Sequence, residues 1–194
     1  MSTFKTIIPQ AGRTRCLESR TNTLICLTDS GRGKNSIQGQ KSKKIILIAT
    51  YNIRTMRLVE GLKRELDNIR WDVLGISETR LAGEATMVLH SGHLLFCRNS
   101  EVNHHRGGVA LLIHRKFKHL VVNCNTVSDR VIYVVLKLNS WYKAQIIQVH
   151  ALTIAASEEK IKQFYDDLAT AKNMDKTKLT VVMATLTPKS ARRK

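Results

Sequence analysis

Glu78 closes DVLGISET (72–79), a hydrophobic and partly β-branched run. A carboxylate at the end of a buried strand needs a cation or a hydrogen-bonding partner, because burying it unpaired is costly. A hard divalent cation, which prefers oxygen ligands, would meet that need. So would Arg80, two residues on, as a plain ion pair. Asn52 ends a second such run, KIILIATYNI (44–53), where a carboxamide commonly does no more than cap a turn. His150 ends a third, AQIIQVHAL (144–152). His104 and His105 precede Arg106-Gly107-Gly108, but a histidine pair in a polar turn is ordinarily solvated and falls short of a tetrahedral metal site. Asp129 and Arg130, after Ser128, read equally as a structural ion pair. Cys16, Cys26, Cys97 and Cys124 form no CxxC pair, which argues against zinc.

These side chains must be held by strands and helices, and the hydrophobic pattern supplies both. Continuous apolar runs suit strands buried on both faces. They occur at 44–53, 72–79, 93–99, 107–115, 127–139, 144–152 and 179–186. The turn at Asn139-Ser140 makes 127–139 and 144–152 an antiparallel hairpin. Between the first two runs, Val59, Leu62, Leu66 and Ile69 fall on one face of a helix over 55–70, with Thr55 as its N-cap. A second helix spans 157–172. Ser157 is its N-cap, Glu158 and Glu159 suit the dipole, and Ile161, Phe164, Tyr165, Leu168 and Ala171 form its apolar face. The order β, α, β, several strands, α, β predicts an α/β fold, a layered β-sandwich flanked by helices. Residues 1–43 read as a flexible basic leader in which TLICL (23–27) is a short apolar patch with no assigned element.

Four strand-end segments carry a resemblance: ATYNIRT (49–55), LGISETR (74–80), SDRVI (128–132) and IIQVHALT (146–153). In this order and spacing the chain resembles the endonuclease/exonuclease/phosphatase family. More narrowly, it resembles the apurinic-type endonuclease domain of non-LTR retrotransposons and the craniofacial development protein 2-like proteins that look derived from it. The resemblance covers roughly residues 43–190, as a partial domain over 44–194 that stops shortly after a core strand. It implies a phosphodiesterase dependent on Mg²⁺ or Mn²⁺, in which the cation polarises the phosphoryl oxygen and lowers the pKa of attacking water. Glu78 matches the family's metal-binding Glu, and Asn52 the Asn that orients metal and phosphate. Arg54, Arg80, Arg98 and Arg130 fall on the expected nucleic-acid face.

Departures from the pattern are equally specific. Where the family carries Tyr in VYAPT, this chain has His150 in VHALT, with Leu152 for Pro. A histidine can still donate to phosphate. Where the family has V-M-G-D-F-N-A-K, this chain has Val182 through Lys189, so that Thr185 replaces the Asp of proton transfer and Thr187 the phosphate-binding Asn. A hydroxyl is no carboxylate base near neutral pH, and losing a general base costs ~10²–10⁴ in rate. The family's later strands and terminal Ser-Asp-His segment are not matched.

Charge bounds the partner. Lys plus Arg number 32 against 15 acids, a net charge of +17 with pI near 10.1. Such a field attracts polyanions, nucleic acid first, and DNA before RNA by the resemblance. No apolar run reaches the ~18 residues of a membrane span, and the N-terminus lacks a secretory h-region. An intracellular setting, nuclear or cytoplasmic, with free thiols is expected. The expected function is that of a degenerate, truncated relative of a retrotransposon-type endonuclease with weak or no activity. An active Mg²⁺-dependent phosphodiesterase and a non-catalytic basic nucleic-acid-binding module are its rivals.

Overall fold

A computed structural model describes residues 21–28, 45–53, 66, 70–102, 107–152 and 156–185. Two sheets face each other. The first orders its strands β1 (Thr21–Thr28), β2 (Ile45–Asn52), β3 (Val73–Ser77), β6 (Val109–Ile113), β5 (Leu94–Arg98) and β4 (Glu84–Val88). The second orders β10 (Leu179–Thr185), β9 (Lys143–His150), β8 (Val131–Lys137) and β7 (Val121–Ser128). A helix, α1 (Glu158–Met174), joins β9 to β10. Those two strands run parallel, as a helical crossover permits, and so do β2 and β3. The mixed α/β sandwich expected from the sequence is present.

Alternation along each strand sorts the side chains. Ile46 and Ile48 of β2, Val73 of β3, Ile132 and Val134 of β8, Ile146 of β9, and Val181 and Met183 of β10 fill the space between the sheets. Leu74 and Ile76 point to the other face of the first sheet, where Leu66 and Trp71 cover them. Tyr133 of β8, with Ile147 and Val149 of β9, lies on the outer face of the second sheet under Phe164, Leu168 and Ala171 of α1. Gln145, on that same outer face, donates from Nε2 to the Ala171 carbonyl at 2.7 Å and so ties the helix to the sheet. Of the apolar face read for α1, Ile161 and Tyr165 remain exposed. Ser157 occupies the N-cap position with extended backbone, but its hydroxyl makes no capping bond.

Three elements differ from the sequence reading. Thr21–Thr28, placed within the flexible leader 1–43, is a strand antiparallel to β2. The run expected as one strand over 127–139 is two, because the chain turns at Asp129-Arg130 and β7 pairs back on β8. Ser and Asp favour such a turn through local hydrogen bonding, and Ser128 Oγ accepts from the Arg130 N–H at 3.4 Å. β4 is an edge strand, mostly exposed, without the hydrophobic run that marks a buried one. Leu66 is helical and buried and Arg70 is non-helical and exposed, while residues 55–65 and 67–69 of the helix expected over 55–70 lie outside the described residues.

Candidate active site

The layer between the sheets changes chemistry along its length. On β2 the inward series is Ile46, Ile48, Thr50, Asn52; on β3 it is Val73, Gly75, Ser77. On β9 it is Ile146, Gln148, His150, and on β10 Val181, Met183, Thr185. Hydrocarbon at one end therefore gives way to hydroxyls, carboxamides and an imidazole at the other, where β2, β3, β9 and β10 all end. Buried polar groups are tolerated when bonded. Among the described residues, Thr50 Oγ1, Ser77 Oγ, Thr79 Oγ1 and Gln148 Oε1 are buried without a protein hydrogen-bond partner. A buried, unsatisfied polar end of a core is a place where ligand or water chemistry can be held.

Glu78 is centred on this end. Its Oε1 accepts a 2.8 Å hydrogen bond from Asn52 Nδ2. His150 Nε2 lies 4.0 Å from the same oxygen, and Arg80 Nη2 lies 4.0 Å from Oε2. The cationic partner read for Glu78 is thus present, but at arm's length compared with the carboxamide. The backbone is unusual at this point. Glu78 has φ 58° and Arg80 φ 55°, in the left-handed region that side-chain-bearing residues seldom adopt. Opposite them stand Gly107 and Gly108 with φ 77° and 85°, whose carbonyls accept from the Arg80 and Thr79 N–H groups at 3.2 and 3.4 Å. A Cβ on Gly108 would collide with Thr79 Oγ1 and lie 3.0 Å from Asn99 Cγ. This strained clasp aims Glu78 into the polar end, and strain of this kind concentrates at functional sites.

His150 faces Glu78 from the second sheet. Burial, together with the Arg130 guanidinium, pushes its pKa below the usual histidine value, and the Glu78 and Asp129 carboxylates only partly oppose this. At neutral pH the ring is therefore neutral, and its approach to Glu78 is not an ion pair. Arg130 sits beside it: its carbonyl accepts from the His150 N–H at 3.0 Å, and its Nη1 donates to the His150 carbonyl at 3.4 Å. Thr185 pairs in register with His150 across β9 and β10. It is fully buried, its Oγ1 donating to the Val149 carbonyl and accepting from Gln148 Nε2, both at 3.4 Å. Position 185 thus faces the same polar end, with a neutral hydroxyl engaged by its neighbours.

Asn52, Glu78, Arg80, Arg130, His150 and Thr185 are brought together. Arg98 lies at the same end of the first sheet, in the ladder Ser77–Val109–Arg98, but its Nη1 is 3.5 Å from Glu84 Oε2 on β4. That contact turns it toward the sheet edge and away from Glu78. Arg54, Thr187 and His104 through Arg106 lie outside the described residues. Sequence reasoning missed Thr79, Asn99, Gln148 and the structural part played by Gly107-Gly108. The signal available was the glycine pair ahead of β6; Gln148, one of two glutamines in β9, carried none of its own.

No family model matches the chain. Two curated relatives do: craniofacial development protein 2 of Bos taurus, 29% identical over 145 residues, and its counterpart in Tragulus javanicus, 30% identical over 128 residues. The matches take in 71% and 65% of this chain but only 24% and 22% of the relatives, so the chain spans about a quarter of their length. Among solved structures, the 3′ phosphatase NExo from Neisseria, bound to a product DNA hairpin, superposes with a TM-score of 0.52. That match is 14% identical in sequence and covers 71% of this chain and 56% of that one. Sequence and fold bear out the resemblance carried by ATYNIRT and LGISETR: the chain is similar to the craniofacial development protein 2 proteins and has an endonuclease/exonuclease/phosphatase-type fold.

Proposed function

We propose that this chain is a degenerate relative of a metal-dependent phosphodiesterase that still binds nucleic acid, DNA in preference to RNA, but cuts it weakly or not at all. One observation carries the reading. Asn52, Glu78, Arg130 and neutral His150 converge on one polar end, while the position facing them from β10 is Thr185, a hydroxyl bonded to Val149 and Gln148. Asn52 and Glu78 keep the family's binding positions and His150 substitutes a second hydrogen-bonding group for its Tyr, whereas the group that would carry charge and take a proton is replaced.

Glu78 and Asn52 offer one anionic and one neutral oxygen donor, the oxygen chemistry that Mg²⁺ or Mn²⁺ accepts. Mg²⁺ is commonly bound through one or two carboxylates, with water and substrate phosphates filling the other positions, so this pair suits a weak site completed by the substrate. When bound there, the cation would supply Lewis-acid polarisation of a phosphoryl oxygen. His150 and Arg130 would donate hydrogen bonds to phosphate, while Asn52 holds the Glu78 carboxylate in place. With a hydroxyl at 185, β10 offers no carboxylate to help His150 draw a proton from water. The net charge of +17 supports the polyanion partner.

Plasmid nicking with Mg²⁺ or Mn²⁺ tests the reading, with Mn²⁺ binding followed by calorimetry as a second readout. The expected result is weak Mn²⁺ binding that Glu78→Ala abolishes, with little or no nicking. Robust nicking that disappears in Glu78→Ala would sink the degenerate reading in favour of an active phosphodiesterase. Mn²⁺ binding unchanged in Glu78→Ala would remove the metal position.

A further inference from the structure

The opposite end of the second sheet carries a different kind of surface. The β8–β9 hairpin ends in Asn139-Ser140-Trp141-Tyr142. Trp141 is 82% exposed and Tyr142 39%. Exposing an indole to that degree gains nothing for folding, and the backbone beneath it is well held. Asn139 Oδ1 accepts from the Trp141 and Tyr142 N–H groups, both at 2.8 Å, and the Leu138 N–H donates to the Tyr142 carbonyl at 2.9 Å. The rings are thus presented on a rigid tip.

Around them the charge is of one sign. Lys137 and Lys143 pair directly across the hairpin, and both are exposed. Lys178, at the entry to β10 beside β9, places its Nζ 5.1 Å from the centre of the Tyr142 ring, and Lys176 is two residues earlier. Neither 137–143 nor 176–180 contains an acidic residue. The nearest acid in the chain, Asp175, is taken up by a 3.3 Å hydrogen bond from Asn123 Nδ2. Exposed aromatic faces flanked by lysines match single-stranded nucleic acid, whose bases stack and whose phosphates pair with ammonium groups. An anionic membrane would also attract the lysines, but Asn139 and Ser140 beside the rings leave little apolar surface to insert.

We infer that the Trp141–Tyr142 hairpin is a second nucleic-acid contact, one that stacks unpaired bases. It lies about 26 Å along β9 from His150, given the eight residues from Tyr142 to His150 at ~3.3 Å each. It extends the proposed nucleic-acid binding but does not use the Glu78 end, so the two stand or fall separately.

The full chain has two tryptophans, buried Trp71 and exposed Trp141, so quenching of Trp141 emission reports on this site directly. Titration at low salt with a thymidine oligonucleotide of about a dozen nucleotides, within the range of known single-strand site sizes, is the experiment. The expected result is quenching in the parent and in Glu78→Ala alike. Trp141→Ala with Tyr142→Ala should weaken binding, measured by anisotropy of a labelled oligonucleotide, roughly tenfold or more. Trp141→Phe, which keeps a stacking face, should bind within about threefold of the parent. Both substituted residues are exposed, and an unchanged circular dichroism melt confirms the fold. Absence of quenching, equal oligonucleotide binding in the double variant, or quenching by phosphatidylserine vesicles but not by the oligonucleotide would each overturn the proposal. Loss of quenching in Glu78→Ala would assign the binding to the other end of the sheet instead.

Discussion

Gly75 sits at the centre of β3 on the face between the sheets, and replacing it with alanine asks whether Gln148 is as firmly held as the structure indicates. A Cβ there would overlap the Gln148 carboxamide, with Cδ 2.6 Å away, and lie 2.8 Å from Met183 Cε. The methionine methyl is the end of a flexible side chain and can move. Gln148 cannot retreat freely: it is fully buried, and its Nε2 donates to the Val149 carbonyl at 3.1 Å and to Thr185 Oγ1 at 3.4 Å. Overpacking a tight core costs ~1–3 kcal/mol, and breaking one of the Gln148 bonds adds about 1 kcal/mol. Gly75→Ala should therefore destabilise by about 2–4 kcal/mol, or roughly 4–16 °C in Tm for a chain of this size. In an unobstructed strand the sign would be opposite, since glycine is less favourable than alanine there by ~0.5–1 kcal/mol. Gln148→Ala vacates the contested space, so the double variant should be more stable than the sum of the singles by at least about 1 kcal/mol. Urea unfolding of the four proteins measures this cycle. A neutral or stabilising Gly75→Ala, or additivity within about 0.5 kcal/mol, would refute the packing argument and with it the fixed position of Gln148 beneath the candidate site.

Three further outcomes follow from the same geometry. Glu78→Gly and Glu78→Ala delete the same carboxylate, but only glycine adopts φ 58° without strain, so the glycine variant should be the more stable by about 1 kcal/mol in urea unfolding; equal stability would deny the strain. Burial lowers the pKa of both His150 and His114, the latter opposed by Asp72 and reinforced by Lys116 and Arg115. The unfolded chain therefore takes up protons first, and the contribution of these rings is complete above the ordinary histidine pKa of 6.5 and lost as pH falls below it. Replacing both with glutamine should flatten the stability profile between about pH 7 and 5, and an unchanged slope would contradict the assignment. Thr185→Asp restores a carboxylate in register with His150; the His150 pKa, followed by NMR, should rise, because a nearby negative charge favours the imidazolium, and an unmoved titration would separate the two positions.

How far the fold could be read from the sequence follows from what each strand buries. β2, β3, β6, β8 and β9 have both faces covered over most of their length and announce themselves as apolar runs. β10 is an apolar run as well, but only one of its faces is covered: Val182 and Ala184 are exposed, so the strand read as buried is buried on the inner face alone. β4 is an exposed edge, and β7 is half-buried with polar Asn123, Asn125, Thr126 and Ser128 along it, so neither carries a hydrophobic period. TLICL is apolar, but nothing local says that β2 offers a free edge beside it; the pairing is a tertiary fact. The site divides the same way. Glu78 was legible because a carboxylate closing a hydrophobic run is anomalous in one dimension; Asn52, His150 and Thr185 were singled out through the resemblance of their strand-end segments to the family's motifs. The clasp of Glu78 and Arg80 against Gly107-Gly108 was not legible, since positive φ at a glutamate and an arginine contradicts their local preferences and is imposed by the opposing strand. Gln148 illustrates the point most sharply. In sequence it is one polar residue in IIQVH, indistinguishable from a solvent-facing position. Only the facing sheet, with a glycine at 75 where any side chain would collide, shows that it points inward and carries the polar layer on which His150 and Thr185 rest.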